Sequence, residues 1–199
     1  MQDLTLVIPA KHESESLPIF LKELNHYPCK KIIVLDENDF KTIDAIKNFN
    51  EIEILFQKKM GYGSALIEGI NSVNTTFFCI INADGSMNPS YLSSMLEKLK
   101  NNNLDFLFAS RYEKPDGGSD DDNLVTSIGN FFFTSIGNLF FSLNISDILF
   151  TYVLGKKEIF KNLKITSEDF TFCVEFPIKA KRHQAKYQTM PSYERSRIG

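Results

Sequence analysis

The segment TFFCIINADGSMNP (residues 76–89) joins an apolar run directly to a polar turn. Residues 76–81 carry no charge, which is typical of a strand buried on both faces of a parallel sheet. Asn82, Ala83 and Asp84 follow without a break, and Gly85 suits a tight turn. We therefore predict a central buried strand that presents the carboxylate of Asp84 at its carboxyl end.

Apolar runs and amphipathic helical runs alternate on both sides of this segment. Strands are predicted over residues 4–9, 31–35, 52–56, 76–81 and 104–109, and helices over residues 14–24, 41–49, 61–70 and 89–100. This alternation predicts an α/β fold with a mostly parallel central sheet flanked by helices and a Rossmann-like nucleotide-binding topology. At 199 residues we expect a single domain.

Composition and charge restrict the classes of function. The formal net charge is −3 and no block of Lys or Arg residues is present, so we expect no nucleic-acid partner. The three cysteines lie far apart without the spacing of a metal site, which favours reduced thiols. The N-terminus has no basic region followed by an apolar stretch, and we expect a cytoplasmic protein.

Polar side chains follow several predicted strands at the points where the strands end. Glu13, Asp36, Asp84 and Arg111 occupy these positions. Ligands of open α/β sheets bind outside the carboxyl ends of the strands. Each residue alone is compatible with an ordinary solvated loop, but all of them together favour a binding site on one rim of the sheet.

Asp84 and Asn82 suit a divalent cation bound to a diphosphate. Proteins bind Mg²⁺ through one or two carboxylates together with phosphate oxygens. Such an ion offsets the charge of a departing diphosphate. Asp84 would supply the anionic ligand, and Asn82 a neutral oxygen or only a hydrogen bond. Asn-x-Asp before Gly is also a common turn sequence, so its position after a buried strand is what favours a metal site.

Short motifs along the chain resemble those of family 2 glycosyltransferases, particularly the dolichol-phosphate and polyprenyl-phosphate sugar synthases. They are IPAKHESESL (8–17), LDEND (35–39), GYGSALIEG (61–69), NADGSMNP (82–89), SRY (110–112) and PSYER (191–195), the last followed by Gly199. Each motif alone is weak, but the ordered set is specific. The resemblance implies a GT-A fold, a nucleotide diphosphate-sugar donor (UDP- or GDP-sugar), Mg²⁺ or Mn²⁺, and inversion at the anomeric carbon.

The resemblance also implies roles for individual residues. Those expected at the donor nucleotide are Pro9, Ala10, Glu13, Asp36, Gly63 and Ala83. Gly63 would let the backbone approach the nucleotide closely. Asp84 and Asn82 would bind the metal, whereas Arg111 and Arg195 would face phosphates or the acceptor.

Two departures from the family pattern bear on these expectations. Asn82 replaces the first Asp of the metal motif, so a nucleotide-sugar-binding domain with weak or no turnover is an alternative. Relatives in this branch usually continue past the position of Gly199 with a basic segment, so the glycosyltransferase domain over residues 1–199 is expected to be truncated at its C-terminus. A nucleotidyltransferase is disfavoured because residues 10–13 (AKHE) lack the glycine-rich loop of that class.

The expected acceptor is a polyprenyl phosphate or a glycan. Arg111 and Arg195 supply cationic groups suited to a phosphate, and a phosphate anion needs no general base to act as a nucleophile. A soluble cell-envelope or polysaccharide acceptor would need a base, for which Asp169 is the first candidate. An ordinary solvated position near a helix start explains Asp169 equally well.

Residues 123–146 contain no charged side chain, yet they include many Asn, Ser, Thr and Gly residues. This polarity argues against a membrane-spanning helix. Apolar side chains at positions 124, 128, 132, 136, 139 and 143 share one helical face, which neighbouring Phe residues widen. We expect this face to be buried, in the chain or in a homodimer. The alternative is peripheral contact with an inner membrane surface, although the segment lacks the Lys and Arg residues typical of interfacial helices.

Overall fold

Strands and helices alternate along residues 1–198, which the computed structural model describes. In chain order the elements are β1 (Leu4–Pro9), α1 (Ser16–Leu24), β2 (Lys30–Leu35), α2 (Phe40–Ile46), β3 (Glu53–Phe56), α3 (Tyr62–Ser72), β4 (Phe77–Ile80), a 3₁₀ turn (Pro89–Tyr91), α4 (Leu92–Asn101), β5 (Phe106–Ser110), β6 (Gly118–Ser119), α5 (Leu124–Phe141), β7 (Val153–Lys156), α6 (Lys157–Leu163), α7 (Phe172–Arg182), β8 (Tyr187–Pro191) and β9 (Tyr193–Glu194). The strands and helices predicted up to residue 109 are present, with ends displaced by a few residues. Gly199, the last residue of the motif set, lies outside the described residues.

Seven of these strands form one sheet in the order β3-β2-β1-β4-β7-β5-β8. β1 pairs in parallel with β2 and β4, and parallel pairs also join β2 to β3 and β5 to β8. β7, which was not predicted, is antiparallel to both of its neighbours, β4 and β5. The predicted α/β class with a mostly parallel central sheet is confirmed. The carboxyl ends of β1, β2, β4 and β5 therefore lie at the same edge.

Alternate residues of the strands face two separate hydrophobic cores. In β1, Leu6 and Ile8 belong to one core and Val7 belongs to the other. The first core is completed by α1, α2 and α4, and the second by α3, α6 and α7. Each fully buried Leu or Ile contributes about 1.5–3 kcal/mol relative to an exposed position. Because helices cover both faces of the sheet, we expect a ligand to bind at the edge where the parallel strands end.

Helix α5 packs with its polar face toward the protein. Its buried residues are Asn130, Thr134 and Gly137. The exposed large apolar side chains of this helix are Leu124, Val125, Ile128, Phe131, Phe132, Phe133, Leu139 and Phe140. The prediction that the apolar face is buried within the chain is therefore wrong. Helical spacing predicted the existence of the face, but the inward side is set by hydrogen bonds to the segment that follows the helix.

A buried arginine connects three parts of the chain beside the sheet. Arg111 directly follows β5, and its side chain is 8% exposed. Its Nε and Nη2 donate to the carboxylate of Asp147 at 2.8 and 3.0 Å, and its Nη1 donates to Glu194 of β9 at 3.1 Å. One guanidinium therefore fixes both the loop before β7 and the C-terminal strand β9 against the end of β5.

We predict that Asp147→Ala lowers the free energy of unfolding by about 3–5 kcal/mol, because it leaves the guanidinium of Arg111 buried without its main partner. The matched control is Asp44→Ala, since Asp44 pairs with Lys47 at 2.8 Å on the exposed surface. This control should change stability by about 1 kcal/mol or less. Urea denaturation of both variants measures the difference, and equal values would show that the buried pair is not stabilising.

Candidate donor-binding site

The carboxyl ends of β1 and β4 border a cleft of about 290 Å³. These strands are parallel neighbours, so the loops that follow them lie close together. Residues 12–16 line the cleft together with Asp84, Arg197 and Ile198. Two of the predicted rim residues, Glu13 and Asp84, are thus brought into one cavity.

The turn after β4 orients the carboxylate of Asp84. Its Oδ1 accepts hydrogen bonds from the backbone N–H and the hydroxyl of Ser86, at 3.0 and 2.8 Å. Its Oδ2 accepts no hydrogen bond from residues 1–198 and lies 3.8 Å from Nε of Arg197. One carboxylate oxygen is therefore fixed by the turn, and the other is available to a ligand in the cleft.

The oxygen donors at this turn fit a divalent cation that is bound mainly by its substrate. Mg²⁺ and Mn²⁺ prefer oxygen ligands, and one protein carboxylate can suffice when phosphate oxygens and waters complete the shell. Within residues 1–198, no group of three or more His, Cys, Asp and Glu side chains is arranged to bind a metal ion. Oδ2 of Asp84 would thus be the charged protein ligand, and a diphosphate would have to supply much of the remainder.

Asn82 and Ala83 precede Asp84 but make different contacts. The hydroxyl of Tyr62 donates to Oδ1 of Asn82 at 3.1 Å and lies 2.6 Å from the hydroxyl of Thr151. Burial raises the pKa of Tyr62, so this hydroxyl remains protonated. The amide oxygen of Asn82 is therefore already bonded to α3, which favours the hydrogen-bonding role over the metal-binding one. The side chain of Ala83 is buried in the core.

Residues expected at the nucleotide also follow β1 and β2. Pro9 pairs with Val34 in the sheet, and the N–H of Ala10 donates to the carbonyl of Val34 at 2.9 Å. Both residues therefore lie at the carboxyl end of β1, and their expected contact with the donor nucleotide stays a prediction. Oδ1 of Asp36 accepts from the backbone and side-chain amides of Asn38, at 2.8 and 3.0 Å. Asp36 lies at the end of β2, outside the residues that line the cleft.

Glycines at the start of α3 make close contacts with another loop. A Cβ on Gly63 would lie 2.2 Å from the carbonyl oxygen of Ser167 and 2.7 Å from that of Asp169. A Cβ on Gly61 would lie 2.1 Å from the carbonyl oxygen of Glu168. The backbone of residues 167–169 therefore requires glycine at both positions, and the expected close approach of Gly63 to a nucleotide stays a prediction.

The contacts with α3 place Asp169 on an exposed loop. Its Oδ1 accepts from the backbone N–H and the hydroxyl of Thr171, at 2.8 and 2.5 Å. These hydrogen bonds lower the pKa of Asp169, which makes its carboxylate a weaker base. The neighbouring Phe170 stacks on Tyr62 with 4.9 Å between ring centroids. Asp169 is not among the residues that line the cleft.

Both arginines expected to face phosphates form internal ion pairs instead. Arg111 lies in the buried network with Asp147. Arg195 forms a bidentate pair with Glu23 at 2.9 and 3.0 Å, and its Nε donates to the carbonyl of Gly85 at 3.1 Å. Neither guanidinium group lines the cleft in this structure, and their expected contact with phosphates or the acceptor stays a prediction. They position the C-terminal segment beside the turn that contains Asp84.

Arg197 is a cationic residue of the cleft that no sequence motif indicated. Its Nε lies 2.6 Å from Oδ2 of Asp121, and its side chain is 63% exposed. The hydrogen bond to Asp121 raises the pKa of Arg197. The N–H of Ile198 donates to the carbonyl of Asp84 at 2.8 Å, which holds this end of the chain against the turn. Because the proximity of Arg197 to Asp84 depends on contacts between distant residues, periodicity and motif spacing do not predict it.

The sequence matches Glycosyl transferase family 2 over residues 5–164. The chain belongs to this family. An uncharacterized glycosyltransferase of Mycobacterium tuberculosis (strain ATCC 25618 / H37Rv) is 29% identical over 97 residues, which is 48% of this chain and 43% of the relative. A relative in Mycobacterium bovis (strain ATCC BAA-935 / AF2122/97) has the same values. The match thus spans less than half the length of these curated relatives.

Solved structures with a similar fold include two proteins in complex with UDP or a UDP-sugar. Glucosyl-3-phosphoglycerate synthase from Mycobacterium tuberculosis, in complex with Mn²⁺, UDP and glucosyl-3-phosphoglycerate, has a TM-score of 0.74 and 10% identity, covering 98% of this chain and 70% of that one. S. aureus TarS 1–349 in complex with UDP-GlcNAc has a TM-score of 0.66 and 14% identity, covering 98% of this chain and 59% of that one. These similarities show the GT-A fold.

We predict that Gly63→Ala destabilises the protein by about 1–3 kcal/mol, because the added methyl group overlaps the carbonyl oxygens of residues 167–169. Gly129→Ala in α5 is the control, since a Cβ there would meet nothing within 4 Å. Helix propensity alone should make this control more stable by about 0.5–1 kcal/mol. Thermal unfolding of both variants measures the effect, and a stabilising Gly63→Ala would contradict the close contact.

Proposed function

We propose that the chain is a glycosyltransferase that moves a sugar from a nucleoside diphosphate-sugar to an acceptor, with inversion at the anomeric carbon. The observation that carries this proposal is the carboxylate of Asp84, which has one oxygen available in a cleft that also contains Arg197. Family membership supports the reaction class. Similar folds that bind UDP with Mn²⁺ or Mg²⁺ support the choice of donor and metal.

In this proposal the donor diphosphate lies between residues 12–16 and Asp84. A bound Mg²⁺ or Mn²⁺ ion would neutralise the charge that develops on the departing diphosphate. Ser86 keeps the carboxylate of Asp84 in the orientation needed for that ion. Arg197 is close enough to exchange its contact with Asp84 for a charge-assisted hydrogen bond to a phosphate oxygen.

The reaction requires an acceptor oxygen to attack the anomeric carbon while the bond from this carbon to the diphosphate breaks. The electron pair of that bond remains on the nucleoside diphosphate. A phosphate acceptor attacks through an oxygen that is already anionic, whereas a hydroxyl acceptor must lose its proton to a base. Asp169 is exposed and its pKa is lowered, so its properties favour an acceptor that needs no base.

We therefore propose a polyprenyl phosphate as the acceptor and the cytoplasmic face of a membrane as the place of transfer. The exposed apolar side chains of α5 support this choice because they offer a surface for an isoprenoid chain. The loop before α5 also reaches the cleft, since its Asp121 pairs with Arg197. A water-soluble glycan acceptor is the alternative.

A second candidate function is nucleotide-sugar binding with weak or no turnover. It is favoured by the hydrogen bond from Tyr62 to Asn82, because this bond occupies the amide oxygen of Asn82 and leaves Asp84 as the main metal ligand expected at the turn. Release of free nucleoside diphosphate from a UDP- or GDP-sugar in the presence of polyprenyl phosphate separates the two functions. Tight donor binding without release would favour the binding domain.

We predict that Mn²⁺ strengthens UDP binding in the wild type and that Asp84→Asn removes this effect. A nucleotide present at a hundred times its Kd should stabilise the fold by about 2.7 kcal/mol. Thermal-shift titrations with Mn²⁺ or a chelator measure the dependence, and Asp44→Asn on the exposed face of α2 is the control. Equal affinity of the wild type for UDP in Mn²⁺ and in chelator would rule out the metal site.

We predict that Arg197→Gln weakens UDP binding about tenfold to a hundredfold, since a hydrogen bond to a charged group contributes about 1.5–3 kcal/mol. Affinity for UMP should fall less if Arg197 contacts the second phosphate. Calorimetric titration of both nucleotides measures the difference, with Lys47→Gln as the exposed control. Unchanged UDP affinity in Arg197→Gln would remove Arg197 from the donor site.

We predict that Asp169→Asn leaves transfer to polyprenyl phosphate nearly unchanged, because that nucleophile is already ionised. Loss of a general base would instead reduce the rate about 10²- to 10⁴-fold. Transfer assays with a polyprenyl phosphate and with a soluble sugar acceptor compare the two outcomes. Full wild-type activity on the soluble sugar that is lost in Asp169→Asn would overturn the lipid-phosphate proposal.

A further inference from the structure

The rotation of α5 about its axis is fixed by hydrogen bonds to residues 145–149. The N–H of Leu149 donates to Oδ1 of Asn130 at 3.1 Å, and the N–H of Ile148 donates to the hydroxyl of Thr134 at 3.2 Å. Asn138 bonds both the N–H and the carbonyl of Ile145. These side chains satisfy the backbone of a connecting segment that has no strand or helix partners there. The apolar side of α5 must therefore face outward.

The outward side of α5 is a continuous exposed apolar surface. Phe131 and Phe140 are 74% and 71% exposed, and the other exposed apolar side chains of α5 are Leu124, Val125, Ile128, Phe132, Phe133 and Leu139. Monomeric soluble proteins rarely expose apolar patches of this kind unless the patch contacts a partner or a membrane. Within residues 1–198, α5 is also the one helix long and apolar enough to span a membrane.

Helix α7 and the residues just after it supply cations that α5 itself lacks. The two helices pack together, and the guanidinium of Arg182 lies 5.6 Å from the centroid of the Phe141 ring. Lys181 and Lys186 are exposed near the same end of α5. Within the described residues none of these three side chains pairs with a carboxylate. Lys181 and Lys186 also border an open cavity of about 540 Å³ at this end. The apolar surface therefore has a rim of unpaired positive charge.

Charge favours lipid over a second copy of the chain as the occupant. The acidic residues at the other end of α5 already have partners: Asp120 accepts from Tyr193, Asp121 pairs with Arg197, and Asp122 accepts from Tyr112. Anionic headgroups would complement the basic rim, whereas the carboxylates beside α5 in a second copy already accept these hydrogen bonds within their own chain. Spanning is disfavoured because the polar face of α5 is hydrogen-bonded to residues 145–149 of the domain.

Building on the proposed location at a membrane, we infer that α5 and the basic end of α7 form a docking surface for an anionic lipid bilayer. The apolar side chains of α5 enter the boundary between headgroups and acyl chains, as in interfacial helices. Lys181, Arg182 and Lys186 contact the anionic headgroups. Asp121 connects the loop before α5 to Arg197, so the docked helix lies beside the cleft in which transfer is proposed.

Flotation with vesicles of phosphatidylcholine, alone or mixed with phosphatidylglycerol, tests this surface. The wild type should float with the mixed vesicles, and the double variant Phe131→Ser/Phe140→Ser should lose binding. Phe40→Ser is the matched control because Phe40 is equally exposed, at 71%, but lies on α2. Lys181→Gln/Arg182→Gln should weaken binding to the mixed vesicles about fivefold per charge removed. Circular dichroism and thermal unfolding confirm that each variant is folded.

Vesicle binding is measured without donor or acceptor, so its failure leaves the proposed transfer reaction intact. Failure of the wild type to float, or equal flotation of the double Phe variant, would overturn the docking surface. Sedimentation velocity measures whether a second copy of the chain occupies the surface instead. A wild-type dimer that dissociates in Phe131→Ser/Phe140→Ser, without vesicle binding, would assign the surface to a second copy and overturn the proposal.

Discussion

The geometry of the cleft depends on the buried guanidinium of Arg111. A buried charge is tolerated only when partners of opposite charge compensate for its lost hydration. Asp147 and Glu194 supply that compensation, and they come from segments far apart in the sequence. Glu194 lies in β9, so its pairing fixes the chain direction for the next residues and brings Arg197 to Asp84. Arg111 itself does not line the cleft, but its ion pairs position the segment that brings Arg197 into it.

The part of the fold that depends on local pattern was predictable from the sequence. Apolar runs rich in β-branched and aromatic residues predicted β1 to β5, and the polar residues after these runs predicted the edge at which Glu13 and Asp84 meet. The antiparallel insertion of β7 between β4 and β5 was not predictable, because it depends on pairing between segments that carry no local signal. The same limit applies to Arg197, whose neighbours Asp84 and Asp121 are distant in sequence.

Helix α5 shows why periodicity alone does not determine burial. The spacing of its apolar residues correctly predicts an amphipathic helix, but the same spacing fits a helix with either side inward. The side of the helix that faces inward is set by hydrogen bonds to the backbone of residues 145–149 from Asn130, Thr134 and Asn138. Burying these polar groups costs little because each is paired. The partner of Arg195 was likewise not predictable, since its motif position says nothing about Glu23.

We propose above all that a nucleoside diphosphate and a divalent cation bind together at Asp84. Paramagnetic broadening of backbone amide signals by Mn²⁺, recorded by NMR with and without UDP, tests this claim most directly. With UDP present, the strongest broadening should fall on residues 84–86 and 12–16, and it should weaken when UDP is removed. Broadening centred on the acidic loop at residues 120–122, or broadening that does not respond to UDP, would contradict the account.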